Sequence, residues 1–308
     1  MHLRLVVKTF GTALLITLIL PVTAAARQLT ETSIAAMLDD PALVSTMKKD
    51  FPVHTVAQSG ANVDGAPRRF LIQGGLHGNE ARTSEFVLWL AKRMAAGKSL
   101  LNKIPGNIAV DFLPYANPDS YGHNRYNANQ VNLNRNFGVL WGVSREPHGD
   151  KAFSEPETKA IRSLMSSRRY LSAIDVHGYI NWIVTPSGPS RVGQDSPEQR
   201  ARYNLWMAAA KDKAAALPGY KVKSAGDLGD GGAFEDWAFW KNRSFSVCLE
   251  MQSRSRYRKN AAGRIRDTWL GYERFIFDMF QSALKIDKGL DQAPALTLRN
   301  ATASRTGT

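Results

Sequence analysis

The chain has 308 residues, 44% of them hydrophobic and 22% charged, with a formal net charge of +13 and a single cysteine. This composition excludes wholesale disorder, and the length suits one α/β domain with a substantial core. The lone Cys248 excludes an intramolecular disulfide, and the basic balance favours anionic partners, among which nucleic acid, cell-wall polymer and acidic peptide all stand open on charge alone.

At the start, Arg4 and Lys8 precede an apolar run from Thr9 to Val22, and Ala24, Ala25 and Ala26 follow. That is the layout of a secretory signal cleaved after Ala26, so residues 1–26 are predicted as a leader and the mature protein as periplasmic or secreted. The competing reading is a membrane anchor, but the apolar core falls short of the ~20 residues a span needs, and no stable membrane insertion is expected after cleavage. No Cys stands near the cleavage point, so a lipid anchor is not expected, and no Arg-Arg pair precedes the apolar core, which favours general export. Export makes cell-wall polymer or peptide the better anionic partner, and no nucleic-acid partner is expected. Residues 27–288 are predicted as one catalytic domain and 289–308 as a mobile tail.

Within that domain, Thr30 to Lys49 reads as an amphipathic helix and Phe51 to Ala57 as a short extended piece. Arg69-Phe-Leu-Ile-Gln-Gly-Gly predicts a buried strand meeting a turn, and Phe86, Leu90 and Met94 give the segment from Glu80 to Ala96 a helical period. Asn107 to Leu113 is the next strand, followed by a long irregular stretch from Pro114 to Asp150. A loop of that length in a compact domain is usually functional or disordered. Ser154-x-x-Glu157 has the form of a capping box that opens a helix to about Arg168. Leu171 to His177, Ser196 to Ala216, Arg243 to Met251 and Ala262 to Lys285 then read as strand, helix, strand and helix.

Three side chains are the candidates for metal chemistry. His77-Gly-Asn-Glu80 offers an imidazole and a carboxylate three residues apart, where a strand hands over to a helix, and His177 closes a separate strand. Two His and one carboxylate with an open fourth position form the ligand set of catalytic zinc hydrolases. An isolated HxxE is a weak signal, whose bland counterpart is a surface helix start with an acidic first turn.

The surroundings strengthen it. Gly74-Gly75-Leu-His77-Gly-Asn-Glu80, Asn117-Pro-Asp119, Arg125, Val131-Asn-Leu-Asn134-Arg135-Asn136-Phe137, Asp175-Val-His177-Gly and Phe245-Ser-Val-Cys-Leu-Glu250 occur in that order. In these signatures the chain resembles the zinc carboxypeptidases of the carboxypeptidase A family, over roughly Phe70 to Met251. The run from Arg125 to Phe137 looks most like the bacterial murein-peptide amidases of that family. The resemblance implies a mixed, mostly parallel twisted sheet with helices on both faces. It implies one zinc ion (Zn2+) held by His77, Glu80 and His177, with Glu250 as general base and Arg125 stabilising the oxyanion. Asn134 and Arg135 would hold the free carboxylate of a peptide or peptidoglycan stem peptide, and a monomer is expected. Two other readings remain: an acyl-amino-acid deacylase resembling succinylglutamate desuccinylase and aspartoacylase, and a non-catalytic cell-wall binding protein that kept the fold.

Three departures from the family pattern stand out. Asn132 occupies a position where the family has an aspartate that orients the first zinc histidine, and Asp175 is the candidate to compensate. The glycine-rich segment from Ala225 to Ala233 lacks the family's tyrosine, with Tyr220 nearby in sequence. Ser120 stands where the family has glycine, which implies an altered turn. His54, His123 and His148 read as solvated surface residues, Cys248 as a buried thiol, and Trp237 and Trp240 as core or pocket wall.

Overall fold

A computed structural model describes residues 5–10, 13–18, 53–57, 68–106, 108–252 and 262–303, with side chains described over 68–106, 108–252 and 268–290. The helix expected over Thr30 to Lys49 lies outside the described residues. Among the described residues nine strands form one sheet, numbered here β1 (Leu5–Phe10), β2 (Ala13–Leu18), β3 (Val53–Ala57), β4 (Arg68–Gly74), β5 (Ile108–Leu113), β6 (Tyr170–Gly178), β7 (Trp182–Thr185), β8 (Lys221–Ser224) and β9 (Phe245–Met251). Their spatial order is β1-β2-β3-β5-β4-β6-β9-β7-β8. The central pairs β4–β5, β4–β6 and β6–β9 are parallel, while β3–β5 and β7–β9 are antiparallel. This is the mixed, mostly parallel sheet expected. β1 and β2 fall inside the stretch read as an export leader, and β3 to β8 make a continuous sheet without them.

Phe70, Leu71 and Ile72 are all fully buried. Successive residues of a strand point to opposite faces, so β4 is covered on both sides, which its unbroken apolar run anticipates. Helix α1 (Ala81–Ala95) buries Phe86, Leu90 and Met94 as the period predicts. Phe86 packs edge-on against Trp269 and Tyr272 of α5 (Ala262–Ala303), and Phe280 of α5 stacks on Phe70 of β4. Helix α3 (Pro197–Ala214) opens with a capping box between Ser196 and Gln199, and its Trp206 meets Phe245 of β9.

Local expectations fail in a few places. In helix α2 (Pro156–Arg168) the N-cap position falls on Glu155, whose side chain makes no cap hydrogen bond, and not on Ser154, because Pro156 takes the first helical position, where its missing N–H costs nothing. The last helix continues to Ala303, past the end expected at Lys285. Two four-residue strands, β7 and β8, and the short helix α4 (Phe234–Trp240) are additional elements. Among the described residues no helix is long and apolar enough to cross a membrane.

Candidate metal centre

The carboxyl ends of β4, β6 and β9 lie side by side, and each delivers one part of the centre. After β4 the chain turns through Gly75, at φ +71°, and passes so close to the Asn117–Ser120 turn that a Cβ on Gly78 would lie 2.1 Å from the Ser120 carbonyl oxygen. Only glycine allows that approach, which brings His77 inward. Glu80 holds the N-cap position of α1 but makes no side-chain cap; Thr83 Oγ1 instead ties the turn, donating to the Glu80 carbonyl at 2.8 Å. The Glu80 carboxylate is thereby free to face two imidazoles.

His77, Glu80 and His177 are all buried, and their potential ligand atoms lie within 4.8 Å of one another. His77 Nδ1 stands 3.0 Å from Glu80 Oε1 and 3.0 Å from His177 Nδ1, which is 3.2 Å from Glu80 Oε2. The outer nitrogens are occupied: His77 Nε2 donates to Asn132 Oδ1 at 2.9 Å and His177 Nε2 to Asp175 Oδ2 at 2.8 Å. With those tautomers both Nδ1 lone pairs and a carboxylate converge on one buried point, as the ligands of a single cation do. The donor set therefore fits zinc, whose ligands are imidazole and carboxylate with outer partners fixing each ring. Burial lowers the His77 pKa, whereas Asp175 and Glu80 outweigh burial at His177 and raise it. Burial also opposes ionisation of Glu80, but the two imidazoles prevail and hold its carboxyl below the ordinary range.

Glu250 pairs in register with His177 across β6 and β9. It is half-buried, and its Oε2 is buried with no hydrogen-bond partner. Burial first, then the nearby Glu80, pushes its carboxyl up to about 7. A carboxylate poised near neutrality beside a metal site, with an oxygen awaiting a donor, can take up and return a proton. Arg125 extends its Nη1 to 3.2 Å from His77 Nδ1 and 3.3 Å from Glu80 Oε1, so the fixed positive charge expected from the sequence does reach the centre.

Asn134 and Arg135 sit on a 3₁₀ turn (Leu133–Arg135) that Asn132, the partner of His77, caps. Asn134 Oδ1 accepts from the Phe234 backbone N–H at 2.8 Å. The Arg135 guanidinium is engaged by the chain's own acids, with Nη2 2.5 Å from Asp230 and 3.2 Å from Glu146. Asp230 is placed there by backbone packing, because a Cβ on Gly232 would meet the Arg135 carbonyl oxygen at 2.1 Å and the Gly232 carbonyl accepts from Phe137 N at 2.9 Å. Sequence reasoning missed both Glu146 and Asp230, which are isolated acids in irregular loops with no repeat or spacing to single them out.

Asp175 orients His177, two residues along the same strand face, as the sequence spacing suggested. Tyr220 donates to the Tyr272 hydroxyl at 2.8 Å and packs on α5, so it does not stand in for the lid tyrosine. His148 is half-buried: its ring packs edge-on with Trp141 and its Nδ1 donates to the Glu146 carbonyl, contrary to the solvated reading. His123 is exposed, Cys248 is a buried free thiol, and Trp237 and Trp240 are buried in the core, as expected. Behind the centre, Glu235 is buried with Oε2 unpartnered, and burial raises its carboxyl to about 8.

Comparison with known proteins gives a consistent answer. A family model described as zinc carboxypeptidase matches residues 45–273. Human carboxypeptidase O is 27% identical over 224 residues, which cover 63% of this chain and 60% of that protein. The chain thus matches about 60% of that relative's length. Carboxypeptidase A from Helicoverpa armigera aligns with a TM-score of 0.59 at 20% identity, covering 83% of this chain and 74% of the other, a likeness of fold. A murein-tripeptide amidase from Escherichia coli O157 aligns at a TM-score of 0.42 and 21% identity, covering 76% of this chain and 95% of the other, too distant to argue substrate.

Proposed function

The chain belongs to the zinc carboxypeptidase family, and on that footing we propose that it is an exported hydrolase that cuts an amide bond next to a free carboxylate, in peptidoglycan stem peptides. The observation that carries the reading is the convergence of His77 Nδ1, His177 Nδ1 and the Glu80 carboxylate on one buried point, with the orphaned Glu250 oxygen beside it. Zinc, when bound there, activates a water and polarises a carbonyl.

The chain's own residues do the rest. Glu250 takes a proton from the attacking water and returns it to the leaving amine. Arg125, already against the ligand atoms, stabilises negative charge as it develops on the scissile carbonyl oxygen. Arg135 holds the substrate's terminal carboxylate through its planar fork, and the incoming anion takes over donors now given to Asp230 and Glu146. Asn134, its carbonyl oxygen anchored by Phe234 N, lies alongside. The predicted leader and the basic net charge support an anionic cell-wall substrate.

Incubating zinc-loaded protein with muropeptides of defined stem length and with N-acyl amino acids, followed by mass spectrometry, tests this. Loss of one terminal residue from a muropeptide is the expected result. Hydrolysis confined to N-acyl amino acids would establish a deacylase in its place, and cleavage of neither would remove the catalytic reading.

A further inference from the structure

The two imidazoles of the centre are supported unequally. His177 donates its outer N–H to a carboxylate, Asp175, whereas His77 donates to a neutral amide, Asn132. An amide oxygen orients a ring but adds no negative charge, and negative charge behind a ring is what makes its other nitrogen a stronger ligand. The amide does not end the chain of contacts. Asn132 Nδ2 donates to Glu146 Oε2 at 2.6 Å, so a carboxylate stands behind His77 after all, one residue further out.

The orientation of this amide is fixed from three sides. Asn132 Oδ1 accepts from His77 Nε2 and, as the cap of the 3₁₀ turn, from Asn134 N at 3.0 Å. Turning the amide over would set its NH2 against the Asn134 N–H and its oxygen against the Glu146 carboxylate. With the oxygen held toward His77, the ring must carry its hydrogen on Nε2 and present a lone pair at Nδ1. Glu146 itself is anchored. Its backbone N–H donates to Ser144 Oγ at 3.2 Å, its carbonyl accepts from His148, and Asn132 N donates to the Pro147 carbonyl at 2.8 Å. Burial pushes the Glu146 carboxyl up, but the Asn132 hydrogen bond and the charges of Arg135 and Arg125 outweigh it and hold the group anionic.

We propose that Glu146 is a positioning residue of the metal centre: acting through Asn132, it fixes the tautomer of His77 and strengthens Nδ1 as a zinc ligand, the service that Asp175 performs directly for His177. The inference rests on the reading of His77 as a ligand, and it extends that reading to a side chain that touches neither metal nor substrate.

The test is zinc affinity, measured by competition with a chelating indicator, in wild type and in the E146Q, N132D, N132D/E146Q and H77A variants. Glutamine at 146 keeps the size and an acceptor for Asn132 while removing the charge, and E146Q is expected to bind zinc about ten-fold more weakly. The double variant puts the carboxylate directly behind His77 and is expected to return to within about two-fold of wild type. N132D alone gains nothing, because it faces Glu146 across the 2.6 Å now bridged by a hydrogen bond. Equal affinity in E146Q and wild type, with binding lost in H77A, overturns the relay and leaves the metal centre standing. A loss in E146Q that the double variant does not recover makes Glu146 a loop anchor and equally overturns it. Wild-type affinity in H77A would instead defeat the assignment of the ligand.

Discussion

Two clusters of buried charge lie at opposite ends of the same strands and are built in opposite ways. Arg69 and Tyr170 stand at the amino ends of β4 and β6, where Asp111, fully buried, accepts from Arg69 at 3.5 Å, from Arg168 at 2.5 Å and from the Tyr170 hydroxyl. Neither Asp111 oxygen lacks a donor. At the carboxyl ends, by contrast, two imidazole lone pairs and a carboxylate face one another, and oxygens of Asp175, Glu235 and Glu250 are buried without partners. Burying polar groups is tolerable when they satisfy one another. The first cluster does so and needs nothing more, whereas in the second His77, Glu80 and His177 turn their ligand atoms on one point as a metal site does, so that on the proposed function one end of the sheet serves stability and the other chemistry.

That contrast is open to direct attack. Glu250→Gln should lower kcat by about 10²- to 10⁴-fold, with KM little changed and no loss of thermal stability, because it removes a proton acceptor and leaves the shape intact. Steady-state kinetics with calorimetry on the zinc-loaded variant would show it, and equal turnover would end the proposed mechanism. Asp111→Asn should do the reverse. Leaving Arg69 and Arg168 without their shared anion is expected to cost about 3–5 kcal/mol in urea unfolding while the folded fraction keeps its turnover. A variant that lost activity but not stability would erase the distinction between the two ends.

Smaller effects sharpen the boundary. Arg135→Lys keeps a charge but loses the fork, so KM for substrates with a free terminal carboxylate should rise about ten-fold with kcat nearly unaltered. An equal rise for amidated substrates would remove Arg135 from carboxylate recognition. Glu235 offers the mildest test. In the unfolded chain it ionises near its ordinary 4.5, and in the fold burial keeps it neutral up to about 8. Its folded pKa is raised, so its contribution to stability is full below about 4.5 and is lost as pH climbs toward 8. Thermal melts of wild type should therefore decline across that window relative to Glu235→Gln, and parallel curves would place this carboxylate outside the pH response.

How much of this was legible in the sequence follows from where each residue sits. The candidate ligands occupy strand ends and glycine turns, and those leave marks: a buried apolar run, then Gly74 and Gly75, then His77 and Glu80. His177 and Glu250 were found for the same reason, each closing an apolar strand, and the structure places them in register. Glu146 and Asp230 carry no such mark. They reach Arg135 only because the backbone packs around Gly232 and the loop beyond Asn136 folds back, through Asn136 Nδ2 donating to the carbonyls of His148 and Lys151. Asp175 is legible too, because it stands two residues before His177 on the same strand face, and His177 is the imidazole it serves. Strands β7 and β8 were too short for alternation to rise above the loop around them.

The most direct measurement is the metal content and coordination of the purified protein, by elemental analysis joined to X-ray absorption at the zinc edge. One zinc per chain with two imidazoles in its shell, falling to weak or no binding in His177→Ala, is what this arrangement of side chains requires. A protein that takes up no stoichiometric zinc, or a variant whose shell is unchanged from wild type, would contradict it.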